Sequence, residues 1–267
     1  MNIISLGAGV QSSTVALMST KGELPKPDCA IFADTGAEPK AVYAWLDWLE
    51  KQVSFPVYRV SSGNLHHDIL RNTNTTGQRF AVVPWHIVKP NGQSAIGRRQ
   101  CTAEYKIKPI IKKTRELVGL KPRQVCKTLK TYMWIGISTD EIQRMKESKY
   151  KYIQNVFPLI EKRMKRTDCI QWMHENGYPT PPRSSCVFCP FHNDSEWKNL
   201  KDNFPEDFAV AVNIDNVIRH QPKIKAQQFA HPKRIPLQEI DFLTLEEKGQ
   251  FSMWQSFNNE CEGMCGI

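Results

Sequence analysis

The 267-residue sequence predicts an α/β fold, a doubly wound parallel sheet followed by a mostly helical, cysteine-bearing C-terminal region. Three observations carry that expectation. Short β-prone runs alternate with helical patterns at the spacing of βαβ units, which argues for parallel strands. The strands run straight into glycine or small polar residues, as strands do at a ligand-binding sheet edge. The second half changes character: Pro179, Pro181 and Pro182 lead into Cys186 and Cys189, and Cys261 and Cys265 close the chain.

Taken in order, Asn2–Ser5 is a first strand that meets Gly7 and Gly9, and Ser12 to Thr20 carries a helical pattern. Cys29–Ala33 reads as a buried strand ending at Asp34-Thr35-Gly36. Pro39 suits the first turn of the next helix, whose inward face is Val42, Trp45, Leu46 and Leu49. Pro56–Val60 is a third strand. Phe80–Val83 and His86–Val88 are expected to pair, with Pro90-Asn91-Gly92 as a turn. Ala103–Val118 reads as an amphipathic helix, Tyr132–Ile137 as a buried strand and Asp140–Met145 as the start of a helix. Thr167-Asp168 is expected to cap a helix that Gly177 ends. A boundary near residue 160 separates a nucleotide-binding domain, 1–160, from the helical region 161–267, which carries the C-x-x-C and the cysteine tail.

Hydrophobic residues make up 40% of the chain, enough for a sizeable core and against global disorder. No apolar run approaches the roughly 20 residues that span a bilayer. The start, MNIISLGAGVQSS, lacks the pattern of a secretory signal, so the expected location is cytoplasmic. In a reducing compartment, clustered cysteines point to metal or redox chemistry rather than disulfides. Lys and Arg number 36 against 27 acids, a net charge of +9. Lys106 to Lys130 holds nine basic residues and the single acid Glu116; Arg144 to Arg166 holds eight basic residues and two acids. Such clusters attract phosphates, from nucleotides or nucleic acid. A solvated basic surface is the plainer explanation.

Four motifs carry chemistry. The first is the turn Ser5, Gly7, Ala8, Gly9, Gln11, Ser12 and Ser13, between a strand and a helix. A phosphate needs several N–H donors. The glycines allow close approach, and the following helix offers free N–H groups and its positive dipole end. The second is Asp34, Thr35, Gly36 and Glu38 at the end of the second strand, which an N-cap and turn would also explain. The third is Gly136-Ile137-Ser138-Thr139-Asp140-Glu141 with Arg144 one turn on. The fourth is the cysteine set. Cys186 and Cys189 are spaced to bind one metal, Cys101 lies upstream, and Cys261 and Cys265 form the tail. Cys29, Cys126 and Cys169 lie in apolar settings and read as buried small hydrophobes. Trp45, Trp48, Trp172 and Trp197 read as core, and Trp85 is the tryptophan expected at a substrate.

These motifs resemble, in order, those of the PP-loop superfamily, which includes ATP pyrophosphatases and phosphoadenosine phosphosulfate (PAPS) reductases. The first turn resembles the PP-loop Ser-Gly-Gly-x-Asp-Ser, with Ala8 in place of a glycine and Gln11 in place of the commoner Asp. The resemblance places Phe32 to Asp34 near an adenine, and has the Gly136 segment close over the nucleotide, with Ser138 at the family's first Arg. It covers about the first 145 residues. It implies a bound ATP, or PAPS as substrate, with Mg²⁺. It also implies a shared 4Fe–4S cluster on Cys101, Cys186 and Cys189. Gln100 stands where a second upstream cysteine is common, so Cys261 or Cys265 would be the fourth ligand or the mobile nucleophile. A zinc site on the same cysteines with Cys265 or His192, or free thiols, are the alternatives.

Two activities follow from the resemblance. One is ATP-dependent sulfur transfer to a nucleobase or nucleic acid, with tRNA or DNA and a sulfur donor as partners. The other is reduction of PAPS or adenylyl sulfate by a tail cysteine with a thiol reductant. A non-catalytic nucleotide- or nucleic-acid-binding module is the third reading. A homodimer is left open, and no membrane partner is expected.

Overall fold

The computed structural model describes residues 1–77, 83–221 and 224–242. Five parallel strands form the main sheet: β1 (Asn2–Leu6), β2 (Cys29–Asp34), β3 (Val57–Ser61), β6 (Thr131–Ile135) and β7 (Ile153–Val156), in the order β3-β2-β1-β6-β7. The chain winds from β1 to β2 and β3 on one side, then returns to lay β6 and β7 on the other. The switch point therefore lies between β1 and β6, where an open α/β sheet collects ligands.

Period-2 alternation sorts the central strands onto two faces. Ile4, Leu6, Ala30, Phe32 and Trp134 pack against α1 (Val10–Thr20), α2 (Lys40–Gln52) and α6 (Arg166–Glu175). Ile3, Ile31, Met133 and Ile135 face the helix α4 (Lys108–Leu117). Helices on both faces give the expected doubly wound arrangement. Val42, Trp45, Leu46 and Leu49 are the buried face of α2, as their spacing requires.

The remaining elements are α3 (Leu65–Leu70), α5 (Pro158–Glu161), α7 (Asp194–Asn203), α8 (Pro205–Arg219) and the short strands β4 (His86–Val88), β5 (Ser94–Ile96) and β8 (Gln227–Phe229). β4 pairs antiparallel with β5, across the expected Pro90-Asn91-Gly92 turn, and with β8 on its other edge. Residues 78–82 lie outside the described residues, and with them most of the strand expected to pair with β4. A third core joins Leu65, Trp85 and Tyr105 to Phe188, Trp197 and Ile214, so segments far apart in sequence bury one another.

Three local expectations change. The helix expected over Ala103–Val118 begins as a π-helix, Thr102–Ile107, before α4. Asp140–Met145 is a 3₁₀ segment, Thr139–Arg144. Lys165, rather than Thr167 or Asp168, is the N-cap of α6. Asp168 sits at the third position and accepts from the Lys165 backbone N–H at 2.7 Å, one half of a capping box. Gly177 follows with a φ of 74°, as a helix stop does.

Asp215 fastens the C-terminal segment. It is buried in α8, where it pairs with Arg219 and accepts from the backbone N–H groups of Ala230 (2.8 Å) and Leu237 (3.0 Å). Asp215→Ala would leave those donors and a cation unmet. It should cost about 3–5 kcal/mol in urea denaturation; a loss below about 1 kcal/mol would show that these segments dock by apolar contact alone.

Candidate active site at the sheet edge

The three predicted loops converge. Strands β2, β1 and β6 are neighbours and parallel, with Leu6 opposite Phe32 and Ser5 opposite Ile135, so their carboxyl ends share one edge. The first loop crosses it as a buried turn. Gly9 is the N-cap of α1, and its carbonyl accepts the first helical bond, from Ser13 N–H. Ala8 has a φ of +57°, the left-handed region that glycine adopts freely.

The loop is held by its own side chains and by distant ones. Gly7 N–H donates to Ser12 Oγ at 3.1 Å, and Ser184 Oγ donates to the Gly7 carbonyl. Trp45 Nε1 donates to Ser13 Oγ at 3.0 Å. Ser12 and Ser13 accept these bonds and so shape the loop while keeping their O–H groups as donors, beside the leading N–H groups of α1. Gly136 lies against this turn; a Cβ there would stand 2.7 Å from Ser12 N and 2.9 Å from Ser12 Cα. That close approach explains the glycine.

Gln11 joins the first loop to the third. Its Nε2 donates to Glu141 at 3.0 Å, and its Oε1 accepts from Arg166 at 2.9 Å. Glu141 is buried and pairs with Arg144. Asp140 accepts from Arg166 N–H at 3.2 Å, which seats α6 on the loop. Gln11 is neutral between a carboxylate and a guanidinium and can satisfy both.

The second loop leads to the cysteines. Asp34 Oδ1 accepts from Gly36 N–H (2.8 Å) and Tyr43 OH (2.7 Å), and burial beside that carboxylate raises the Tyr43 hydroxyl's pKa far above its usual value. Thr35 Oγ1 lies 3.6 Å from Cys186 Sγ. Glu38, with its side chain wholly buried, meets Lys106 Nζ at 3.0 Å. Val187 N–H donates to the Ala37 carbonyl at 2.9 Å, tying the C-x-x-C segment to this turn.

Cys101, Cys186 and Cys189 line one cavity of about 30 Å³ with Thr35 and Lys106. Cys186 opens on that cavity but lies deep among protein atoms. Burial holds its thiol well above the ordinary range; Glu38 and the two neighbouring thiols push the same way, and Lys106 opposes them. The donor set is soft and suits zinc or an iron–sulfur cluster. The arrangement is not closed on a metal: among the described residues no group of three His, Cys, Asp or Glu side chains is positioned to hold one. Cys261 and Cys265 lie outside the described residues.

His192 does not join the thiols. Its Nε2 is 2.7 Å from Ser185 Oγ, and it lines a separate cavity of about 450 Å³. Burial keeps its pKa well below the usual histidine value, so it is neutral. Trp85 is a core residue against Phe188, and Phe32 belongs to the core beneath α1 and α2; the indole and the phenyl ring are both buried. Burial pushes Cys29 up to about 11 and Cys169 up to about 12, consistent with inert thiols. Cys126 departs from the expectation. It is half-buried on an exposed loop and donates to the Thr128 carbonyl. Of the basic residues expected to meet a polyanion, Lys106 is buried against Glu38 and Lys113 pairs with Glu116; Lys108 and Lys112 are exposed. Arg166 and Ser184, which touch the first loop from the second half of the chain, have no local signature in the sequence.

No protein-family model and no curated protein sequence matches the chain. Among solved structures it is similar to the crystal structure of phosphoadenylyl-sulfate (PAPS) reductase from Candida auris in its phosphate complex. The identity is 11% and the TM-score 0.44, over 67% of this chain and 74% of that one. Among the described residues no helix is long and apolar enough to cross a membrane.

Two substitutions test the loop geometry in thermal or urea denaturation. Ala8→Gly should stabilise the fold by about 1 kcal/mol, by removing the left-handed strain on a side chain. Gly136→Ala should destabilise it by about 1–3 kcal/mol, because its methyl meets backbone rather than a movable side chain. A neutral Gly136→Ala would contradict the close packing of β6 on α1.

Proposed function

We propose that the chain is a PAPS reductase-like PP-loop enzyme that carries out ATP-dependent sulfur transfer to a nucleobase or nucleic acid. The observation that supports it most is the contact of Thr35 with Cys186, which puts a thiol directly behind the sheet-edge turn beside the phosphate loop. In this reading the leading N–H groups of α1 would hold the phosphates, and Mg²⁺ would supply charge neutralisation there. A carbonyl oxygen of the acceptor attacks the α-phosphorus; an O–P bond forms and pyrophosphate leaves. A sulfur nucleophile from the donor then forms the C–S bond, and AMP departs with the oxygen. Lys106, held by Glu38, is the cation nearest the Cys186 thiol, and it favours the thiolate against the larger opposing effects of burial and Glu38.

We also propose that Cys101, Cys186 and Cys189, with Cys261 or Cys265, hold a 4Fe–4S cluster, zinc being the other ion these donors accept. Such a group would supply a point of attachment for sulfur. Support for it is the chemistry of the donor set.

Pyrophosphate release from ATP, with and without RNA or DNA, is the test. The protein should release pyrophosphate in an acceptor-dependent manner, and Gly9→Val should abolish nucleotide binding, because a β-branched side chain fills the space beside the backbone donors. Sulfite release from PAPS without ATP turnover would replace the reading by sulfonucleotide reduction. Binding without any turnover would leave only a nucleotide-binding module. Protein purified without oxygen should contain iron and sulfide, and Ala at Cys186 or Cys189 should remove both; one zinc per chain would replace the cluster and keep the ligands.

A further inference from the structure

Outside the first loop and the thiols, a groove lies at the carboxyl ends of β6 and β7. A cavity of about 290 Å³ opens there on the α4 side of the sheet. Ile107 and Ile111 from the helix and Ile135 and Ile137 from the end of β6 give it apolar walls, and Tyr150 and Phe157 add two rings. Its cations are Lys108, Arg144, Lys146 and Lys149, against the single acid Glu147. A second cavity of about 600 Å³ adjoins it, sharing Lys146, Glu147, Ser148, Asn155 and Phe157 and adding Lys151. The four lysines are exposed, whereas the four isoleucines are buried. The groove is therefore apolar within and cationic outside, and longer than one pocket.

Arg144 connects it to the candidate active site. The guanidinium lines the groove and pairs with Glu141, which in turn holds Gln11 of the phosphate loop. A ligand in the groove is thus one ion pair away from that loop.

We propose that this groove binds a single strand of nucleic acid, with a base in the apolar cavity beside Tyr150 and Phe157 and phosphates on Lys108, Lys146, Lys149 and Lys151. A strand presents what the groove asks for: a flat π-face at every nucleotide and a charge between successive ones. A base can enter an apolar cavity only when it is out of a stack, which excludes an intact duplex. The adjoining second cavity, with its own lysine, favours a strand over a free nucleotide, which has the same chemistry but fills one pocket. The proposal rests on the reading of a nucleic-acid acceptor for its purpose; its binding is measured separately.

The test is fluorescence anisotropy of a labelled twelve-nucleotide oligouridylate with the full chain across a salt series. Lys146→Glu/Lys149→Glu should weaken binding about ten-fold or more at low salt. It should also flatten the slope of log affinity against log salt by about 1.4, at about 0.7 per lost phosphate contact. Tyr150→Ala should weaken it about ten-fold with the slope unchanged, since stacking carries no counterions. Lys26→Glu/Lys51→Glu, the same charge change at exposed positions on other faces, should bind within about two-fold of the parent. Gly9→Val should retain the oligonucleotide, so loss of the ATP reaction and loss of strand binding are told apart. The proposal is overturned if the parent does not bind, if the control pair loses as much as the groove pair, or if saturating ATP displaces the strand from the parent, which would make the groove the nucleotide's own site.

Discussion

Glu38 carries a carboxylate entirely out of water, and the fold around the site is arranged to make that tolerable. Lys106 reaches it at 3.0 Å from the π-helix. Breaking a buried pair of this kind costs about 3–5 kcal/mol, far more than an exposed one contributes. The pair fixes the turn after β2 to the segment that begins at Cys101. The wider helical turn brings Tyr105 and Lys106 inward together, with Tyr105 OH donating to Asp68 at 2.5 Å. Once these groups are in place, Thr35 and Cys186 are in contact and the thiol cavity is defined.

The first loop, between β1 and α1, follows a parallel logic. Its serines are already bonded to the loop and to Trp45, and Ser184 reaches across to the Gly7 carbonyl. What these bonds leave for a ligand is the backbone at the start of α1, at the switch point of the sheet, and the serine O–H groups. Ser184 and Cys186 stand two residues apart, so a single extended segment contacts the phosphate loop with one residue and the Asp34–Glu38 turn with the other. A nucleotide that moved either loop would be felt by the thiols through a few covalent bonds.

Much of the frame was legible because it is written locally. The strands around Ile4, Ile31 and Trp134, the glycine turn and the inward face of α2 each follow from a short stretch of sequence. The motifs at the ends of β1, β2 and β6 could be assembled only because parallel strands present all their carboxyl ends at one edge. What escaped depends on contacts made over long separations. Arg166 and Ser184 meet the first loop from more than 150 residues away, and no periodicity marks them. Lys106 looked like one more solvated cation in a basic run, because lysine is rarely buried; only its carboxylate partner explains it. Trp85 sits in an irregular segment where spacing carries no burial signal, and β8 is three residues that become a strand by pairing with β4. His192, two residues beyond Pro190, looked adjacent to the thiols, but the turn that follows Cys189 directs it to Ser185 instead.

The central claim is that nucleotide loop and thiols are one site. The most direct measurement is cysteine alkylation mapped residue by residue by mass spectrometry, with and without a non-hydrolysable ATP analogue. Cys126, half-buried on an exposed loop outside the three motifs, serves as the internal reference. The account predicts that Cys101, Cys186 and Cys189 change reactivity together when the analogue binds, while Cys126 does not. Bound analogue with unchanged rates at all three thiols would contradict it.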